Sequence, residues 1–322
     1  MFIDTWKGVD MYEHINGGGR TDSSHGGGSR PRVSLVIPTL NEAENLTCLL
    51  PTIGDIVDEL VIVDGRSIDG TVETALSLRP DAVIVRERRA GKGYALQAGF
   101  AACTGDLIVM MDADGSMAPA EIDTFVSALE AGADVVKGSR FLQGGGSGDL
   151  TGIRMLGNAV LTRTVRWSFG GRFSDLCYGY MAFWRDVLPF FDEEVGGFEI
   201  ETFLNVRALA AGLRIVEVAS YEENRINGES NLSAVRDGYR VLSTIIRERR
   251  RVRRYRASLG LHRPDLHSHA PMPHPVIALR DHRAPAVIRE VVPAKASGGR
   301  PSVAAVAVAV AAPEEDLGGG HG

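Results

Sequence analysis

Two aspartates, Asp112 and Asp114, stand one residue apart at the end of the apolar run in "GDLIVMMDADGSMAP". Carboxylates this close repel each other unless positive charge lies between them. A divalent cation meets that need: Mg²⁺ or Mn²⁺ takes oxygens from one or two carboxylates and completes its shell with water and phosphate. The same residues also fit a plain strand-ending turn, because Asp-Gly is a favoured turn dipeptide. Two further carboxylates follow apolar runs: Asp64 closes "LVIVD", and Glu42 lies in "IPTLNEAENL" after "VSLVIP". Asp69 and Thr71 read as a turn and a helix cap.

The elements that must position these side chains alternate along the chain. Apolar runs at 33–38, 60–64, 82–86 and 106–111, and in "ADVVKGSRF", are separated by helical stretches at 44–53, 69–79, 93–102 and 119–131. Short β-branched runs alternating with helices indicate βαβ units and a mainly parallel sheet. Such a sheet is covered by helices on both faces, which accounts for the unbroken apolar strands. Its ligands bind at the carboxyl ends of the strands, so Asp64 and Asp112 are expected on one rim.

Composition bounds the rest. The 322 residues are 44% hydrophobic and 24% charged, ordinary for a globular protein, and the net charge of −6 argues against a nucleic-acid partner. Cys48, Cys103 and Cys177 have no metal-ligand spacing and suggest a reducing compartment. The N-terminus reads without a signal peptide, and no run reaches the roughly 18 apolar residues needed to span a bilayer. Residues 1–31 are glycine-rich and expected to be flexible. Residues 262–322, rich in His, Pro, Ala and Gly, are expected to be largely disordered.

Five segments, "IPTLNEAENL", "VDGRSIDGT", "GKGYALQAGFAACTGDLIVMMDADGS", "KGSRF" and "RINGESNLS", occur in the order found in family 2 glycosyltransferases. Over about residues 32–245 the chain resembles the branch containing dolichyl- and polyprenyl-phosphate mannose or glucose synthases. The resemblance implies a GT-A fold over 32–232, a GDP- or UDP-hexose donor and a divalent metal. Carried over by position, Pro38, Leu40 and Glu42 line the nucleotide pocket, and Asp64 lies near the base. Asp112, Ala113 and Asp114 form the D-x-D element, and Arg140 and Arg225 meet phosphates. Metal and arginine forks aimed at the departing diphosphate would stabilise charge where it develops. The chain departs from the family pattern at Leu40, Gly65, Met181 and Asn231.

The acceptor half leaves two chemistries open. A sugar hydroxyl needs a general base, for which Glu201 and Glu199 in "GGFEIETFL" are the candidates. Two apart on a helix, they are expected to point to different faces, one toward the site and one to solvent. A polyprenyl phosphate is already anionic and needs cations, such as Arg154 and Arg225, rather than a base. A third reading is a nucleotide-sugar-binding protein without turnover. At 233–261, Val235, Tyr239, Leu242 and Ile246 form one apolar stripe ending in Arg249, Arg250, Arg251, Arg253, Arg254 and Arg256. This segment reads either as a helix packed on the domain with a solvated end or as a helix lying on an anionic membrane surface. The expected location is cytoplasmic, peripheral on the inner face of the plasma membrane.

Overall fold

The computed structural model describes residues 30–171, 173–228, 234–258, 287–290 and 306–310. Its first half repeats strand and helix: β1 (Val33–Thr39), α1 (Ala43–Leu49), β2 (Glu59–Asp64), α2 (Thr71–Leu78), β3 (Val83–Arg86), α3 (Lys92–Ala102), β4 (Leu107–Met110), α4 (Ile122–Glu130) and β5 (Val135–Ser139). The second half adds β6 (Gly146–Ser147), α5 (Gly152–Phe169), β7 (Met181–Trp184), α6 (Ile200–Ala210), β8 (Ile215–Ala219), β9 (Tyr221–Glu222) and α7 (Ala234–Ser258). Two last strands, β10 (Val287–Glu290) and β11 (Val306–Val310), close the described chain.

The main sheet has nine strands in the order β10-β11-β3-β2-β1-β4-β7-β5-β8. Only β7, between β4 and β5, and the β10–β11 pair run antiparallel. Register then fixes the rim. Thr39 lies level with Asp64 across β1 and β2, and Val36 lies level with Met110 across β1 and β4. The chain therefore leaves three adjacent strands along one edge, carrying Leu40, Gly65 and Asp112 to it.

Alternation along β1 divides the core. Leu35 and Ile37 pack with Leu46 and Phe125 on one face, while Val36 packs with Phe100 and Phe203 on the other. Each such buried side chain contributes about 1.5–3 kcal/mol. A smaller cluster, including Val165, Val206, Val241 and Ile245, joins α5, α6 and α7.

Two expectations change at the edges of the fold, and a third falls outside the described residues. The helix expected over 44–53 ends at Leu49, and a 3-10 turn takes over at Leu50–Thr52, because Pro51 has no N–H to continue the ladder. The stretch 262–322, expected to lack regular structure, supplies β10 and β11, which extend the sheet beyond β3. Alternating Val and Ala in "VAVAV" suits a strand. The flexible segment expected over 1–31 lies outside the described residues except for Arg30 and Pro31, as do Asn231 and the side chains of Val235 and Arg256.

Candidate active site

One cavity of ≈ 550 Å³ opens at the carboxyl edge of the sheet. Pro38, Leu40, Glu42, Asp112, Ala113 and Asp114 line one side, and residues of α5, α6 and α7 line the other. Donor-side and acceptor-side residues of the sequence thus face a single space.

The D-x-D turn is tightly held. Asp114 Oδ1 accepts from the backbone N–H of Ser116 at 3.0 Å and from its hydroxyl at 2.7 Å. Arg225 Nη1 lies 2.8 Å from Asp114 Oδ2. The Asp114 carbonyl also accepts from Ile226 N–H at 3.0 Å, so the segment before α7 lies across the turn. That approach requires Gly115: its φ is +75°, and a Cβ there would sit 2.3 Å from Ile226 Cδ1.

Asp112 has its own cation. Lys92 Nζ, at the start of α3, is 2.6 Å from Asp112 Oδ1 and 2.8 Å from Glu201 Oε1. Burial by itself would lower the Lys92 ammonium, but the Asp112 and Glu201 carboxylates overcome this and hold it above the usual lysine range. Lys92 is fixed in place because the loop backbone at Val195 and Gly196 packs directly on the glycines beside it. A Cβ on Gly91 would meet the Gly196 carbonyl oxygen at 1.9 Å, and one on Gly93 the Val195 oxygen at 1.9 Å. Sequence reasoning gave Lys92 no role. The available signal was a rare lysine between two glycines, one strand before the D-x-D pair.

Glu42 stands on the cavity wall, with its Oε2 accepting from Asn45 Nδ2 at 2.5 Å. Burial raises its carboxyl above the ordinary range; the Asn45 bond opposes this, and the charges of Asp114 and Asp112 add to it.

Several expected positions fall elsewhere. Asp64 ends β2 as expected but is buried; it accepts from Ser67 N–H at 3.0 Å, while its neighbours Gly65 and Arg66 line the cavity in its place. Arg140 lines the cavity, but its guanidinium is spent on carboxylates. Nε and Nη2 bind Asp175 at 2.7 and 2.9 Å, and Nη1 binds Glu222 at 2.9 Å. A buried, bidentate pair of this kind holds the end of β5 to the loop before β7, so the guanidinium that the resemblance aims at phosphate is directed here at carboxylates. Glu201 faces the cavity, bound to Lys92. Glu199, the other candidate base, accepts from Gly197 N–H at 3.3 Å with its Oε2 buried, so neither glutamate is turned to solvent. Asp69, read from sequence as a turn residue, accepts from Thr71 N–H at 3.0 Å and from Ala43 N–H at 3.0 Å, joining the two loops.

On the acceptor side, Arg154 of α5 lies 3.4 Å from Asp149, and Arg225 Nε lies 3.8 Å from the same carboxylate. Asp149 and Glu222 are cavity residues that sequence reading did not single out.

The residues suit a divalent cation. Two carboxylates leave one turn together, and each already attracts a cation of the chain. Among the described residues no cluster of three His, Cys, Asp or Glu is present. Carboxylate oxygens at this turn would suit a hard cation that takes water and phosphate for most of its shell.

The sequence model of the family described as glycosyl transferase family 2 matches residues 34–189. The polyprenol monophosphomannose synthase of Mycolicibacterium smegmatis is 34% identical over 215 residues, covering 63% of this chain and 81% of that protein. The undecaprenyl-phosphate mannosyltransferase of Micrococcus luteus is 33% identical over 222 residues, covering 63% of this chain and 88% of that protein. Among solved structures, a Mycobacterium tuberculosis glucosyl-3-phosphoglycerate synthase, in complex with Mn²⁺, UDP and glucosyl-3-phosphoglycerate, aligns with a TM-score of 0.55. It is 22% identical and covers 77% of this chain and 86% of that chain, a likeness of fold. Fold and sequence together make this a GT-A glycosyltransferase, and the chain belongs to glycosyl transferase family 2.

Proposed function

We propose that the protein moves a hexose from a nucleotide-sugar, GDP- or UDP-linked, to a polyprenyl phosphate, with inversion at the anomeric carbon. Pro38, Leu40 and Glu42 bind the nucleoside; Asp64 acts from behind, shaping the turn that presents Gly65 and Arg66. Asp112 and Asp114 would hold Mg²⁺ or Mn²⁺, which when bound would supply Lewis-acid neutralisation of the diphosphate. Lys92 holds Asp112 in position, and Arg225 swings from Asp114 toward phosphate oxygen. In the reaction the acceptor phosphate oxygen attacks the anomeric carbon in line while the bond to the diphosphate breaks. Cations at both ends, Arg225 toward the leaving group and Arg154 toward the acceptor, stabilise charge where it gathers. Arg140 supports this indirectly by fixing Asp175 and Glu222.

The observation that carries the reading is the state of Glu201. Its carboxylate is bound to Lys92 inside the cavity, so the site offers an acceptor cations rather than a free base. An anionic acceptor needs no base. The names of the two relatives above agree with a polyprenyl phosphate. Such an acceptor puts the reaction at a bilayer, here the inner face of the plasma membrane.

The test is a panel of GDP- and UDP-hexoses with undecaprenyl phosphate, with Mg²⁺, Mn²⁺ or EDTA. We expect one donor class to give an organic-extractable glycolipid only with metal, and NMR to find its anomeric configuration opposite to the donor's. Retained configuration, or full transfer in EDTA, overturns the mechanism. The alternative acceptor, a saccharide hydroxyl with Glu201 as base, predicts product with free sugars instead. A binding protein without turnover predicts no product at all.

A further inference from the structure

Helices α5 and α7 pack against each other, and both carry apolar side chains on the faces turned away from the core. On α5, Ile153, Leu156, Val160 and Trp167 follow one another at spacings of three, four and seven, along one face of the helix. On α7, Tyr239, Leu242 and Ile246 do the same. Ile153, Leu156, Val160, Trp167 and Tyr239 are 57 to 77% exposed, where large apolar residues of a core-packing helix would be covered. The buried face of α7 is a different one: Asp237, Val241, Thr244, Ile245 and Glu248. Of the two readings the sequence left open for this stripe, packed on the domain or turned to a surface, the described residues Tyr239, Leu242 and Ile246 face outward.

The two stripes belong to one surface. Arg249 of α7 lies over the Trp167 ring of α5 at 4.2 Å. On the opposite side of α7, Arg251 pairs with Asp192 at 3.3 Å and Arg207 of α6 reaches Glu248 at 2.6 Å. The exposed apolar residues of α7 thus lie on the side toward α5.

Charge on this surface has one sign. Helix α5 contains no carboxylate, and the two in α7, Asp237 and Glu248, are both buried. The apolar stripes run into exposed arginines at the next helical positions, Arg163 on α5 and Arg250 and Arg253 on α7. A chain of net charge −6 thus presents a face that is apolar and positive. The cavity opens beside it: Ile153 of the α5 stripe also lines the cavity, with Arg154 and Gly157 of α5 and Gly238 and Val241 of α7. Among the described residues no helix is long and apolar enough to cross a membrane.

We propose that the α5–α7 face docks on an anionic bilayer, its apolar residues entering the headgroup boundary and its arginines meeting lipid phosphates. This rests on the lipid-phosphate reading of the acceptor and names the surface that brings the cavity to it. Polar helices of opposite design would suit water; apolar residues ringed by arginine suit an interface. Both helices carry the contact, with α5 supplying most of the exposed apolar residues.

The experiment uses the full chain with vesicles of phosphatidylcholine alone or mixed with phosphatidylglycerol, at low and high salt. Three proteins are compared: wild type, the triple variant Arg163→Gln/Arg250→Gln/Arg253→Gln, and the triple variant Leu156→Ser/Val160→Ser/Tyr239→Ser. All six positions are exposed and outside the cavity lining, and circular dichroism checks that each variant is folded. Wild type should co-sediment with anionic vesicles at low salt, release at high salt, and shift Trp167 fluorescence to the blue. The arginine variant should bind on the order of 100-fold more weakly, at about five-fold per arginine near anionic lipid. The serine variant should lose the fluorescence shift. Indifference of wild type to anionic vesicles, equal binding by all three proteins, or a dimer in solution that covers Trp167 would each overturn the proposal. Transfer to a water-soluble, short-chain isoprenyl phosphate is measured in parallel. It should persist in both variants. Its absence in wild type would sink the acceptor reading while leaving the vesicle result to stand by itself.

Discussion

The two walls of the cavity are built in opposite ways. The donor wall hangs from strand ends: β1, β2 and β4 are buried on both faces, and each turn beyond them is cross-linked by hydrogen bonds. The acceptor wall is carried by α5 and α7, whose outer faces are exposed and whose charges pair mostly with loops. A rigid rim suits a donor whose diphosphate must be held in one geometry. A wall on helix faces suits an acceptor that arrives from a surface and differs in length. Loss of a rim residue should therefore strike chemistry, and loss of a wall residue should strike acceptor binding.

The largest effect should come from the rim. Asp114→Ala removes a carboxylate placed to neutralise the leaving group, and transfer should fall at least on the order of 10²–10³-fold in kcat. The fold should survive, because the losses are two turn bonds to Ser116 and one ion pair to Arg225 at the cavity wall. Near-normal kcat in this variant would remove Asp114 from the mechanism.

Lys92 and Glu201 sharpen the comparison, because they join the two walls. If Glu201 acts through Lys92, Lys92→Met should cost more than Glu201→Gln, and the double variant should be no worse than Lys92→Met alone. A base role for Glu201 predicts the reverse order. The ratio of kcat values in the four-protein cycle decides between them.

On the acceptor wall, Arg154→Gln should raise KM for the lipid phosphate about 10-fold, the value of one hydrogen bond to a charged group, with nucleotide affinity unchanged. Weaker nucleotide binding by calorimetry would move Arg154 to the donor side.

The smallest effect concerns stability. Burial raises the Glu42 carboxyl in the folded state, so folding is favoured when it is protonated and loses stability as pH rises from the unfolded value toward the raised folded one. Glu42→Gln should therefore raise Tm at pH 7 by about 2 °C, with no gain below about pH 4, where both states are protonated. A lower Tm at pH 7 would mean that Glu42 is stabilised as an anion.

Sequence carried the rim further than the wall. Apolar runs ending in Asp64 and Asp112 predicted a parallel sheet and one edge, because strand period and burial are local signals. The D-x-D pair and Glu42 could be read for the same reason. The partners of Arg140 could not: Asp175 and Glu222 are 35 and 82 residues away, and only the fold brings them together. Lys92 escaped notice because its value lies in meeting two carboxylates from distant segments. On α7, periodicity found the apolar stripe but not its direction, since a second face with Val241 and Ile245 does the packing.

The central claim is that this cavity offers cations to an anionic acceptor and holds Glu201, the candidate base for a hydroxyl, in an ion pair with Lys92. The most direct measurement compares two short-chain, water-soluble acceptors that differ only in the head group, an isoprenyl phosphate and the parent isoprenol. Both are given the same nucleotide-sugar and Mn²⁺. The account predicts glycosyl transfer to the phosphate and none to the alcohol, at every pH where the protein is folded. Glycosylation of the alcohol with the phosphate left untouched would contradict it.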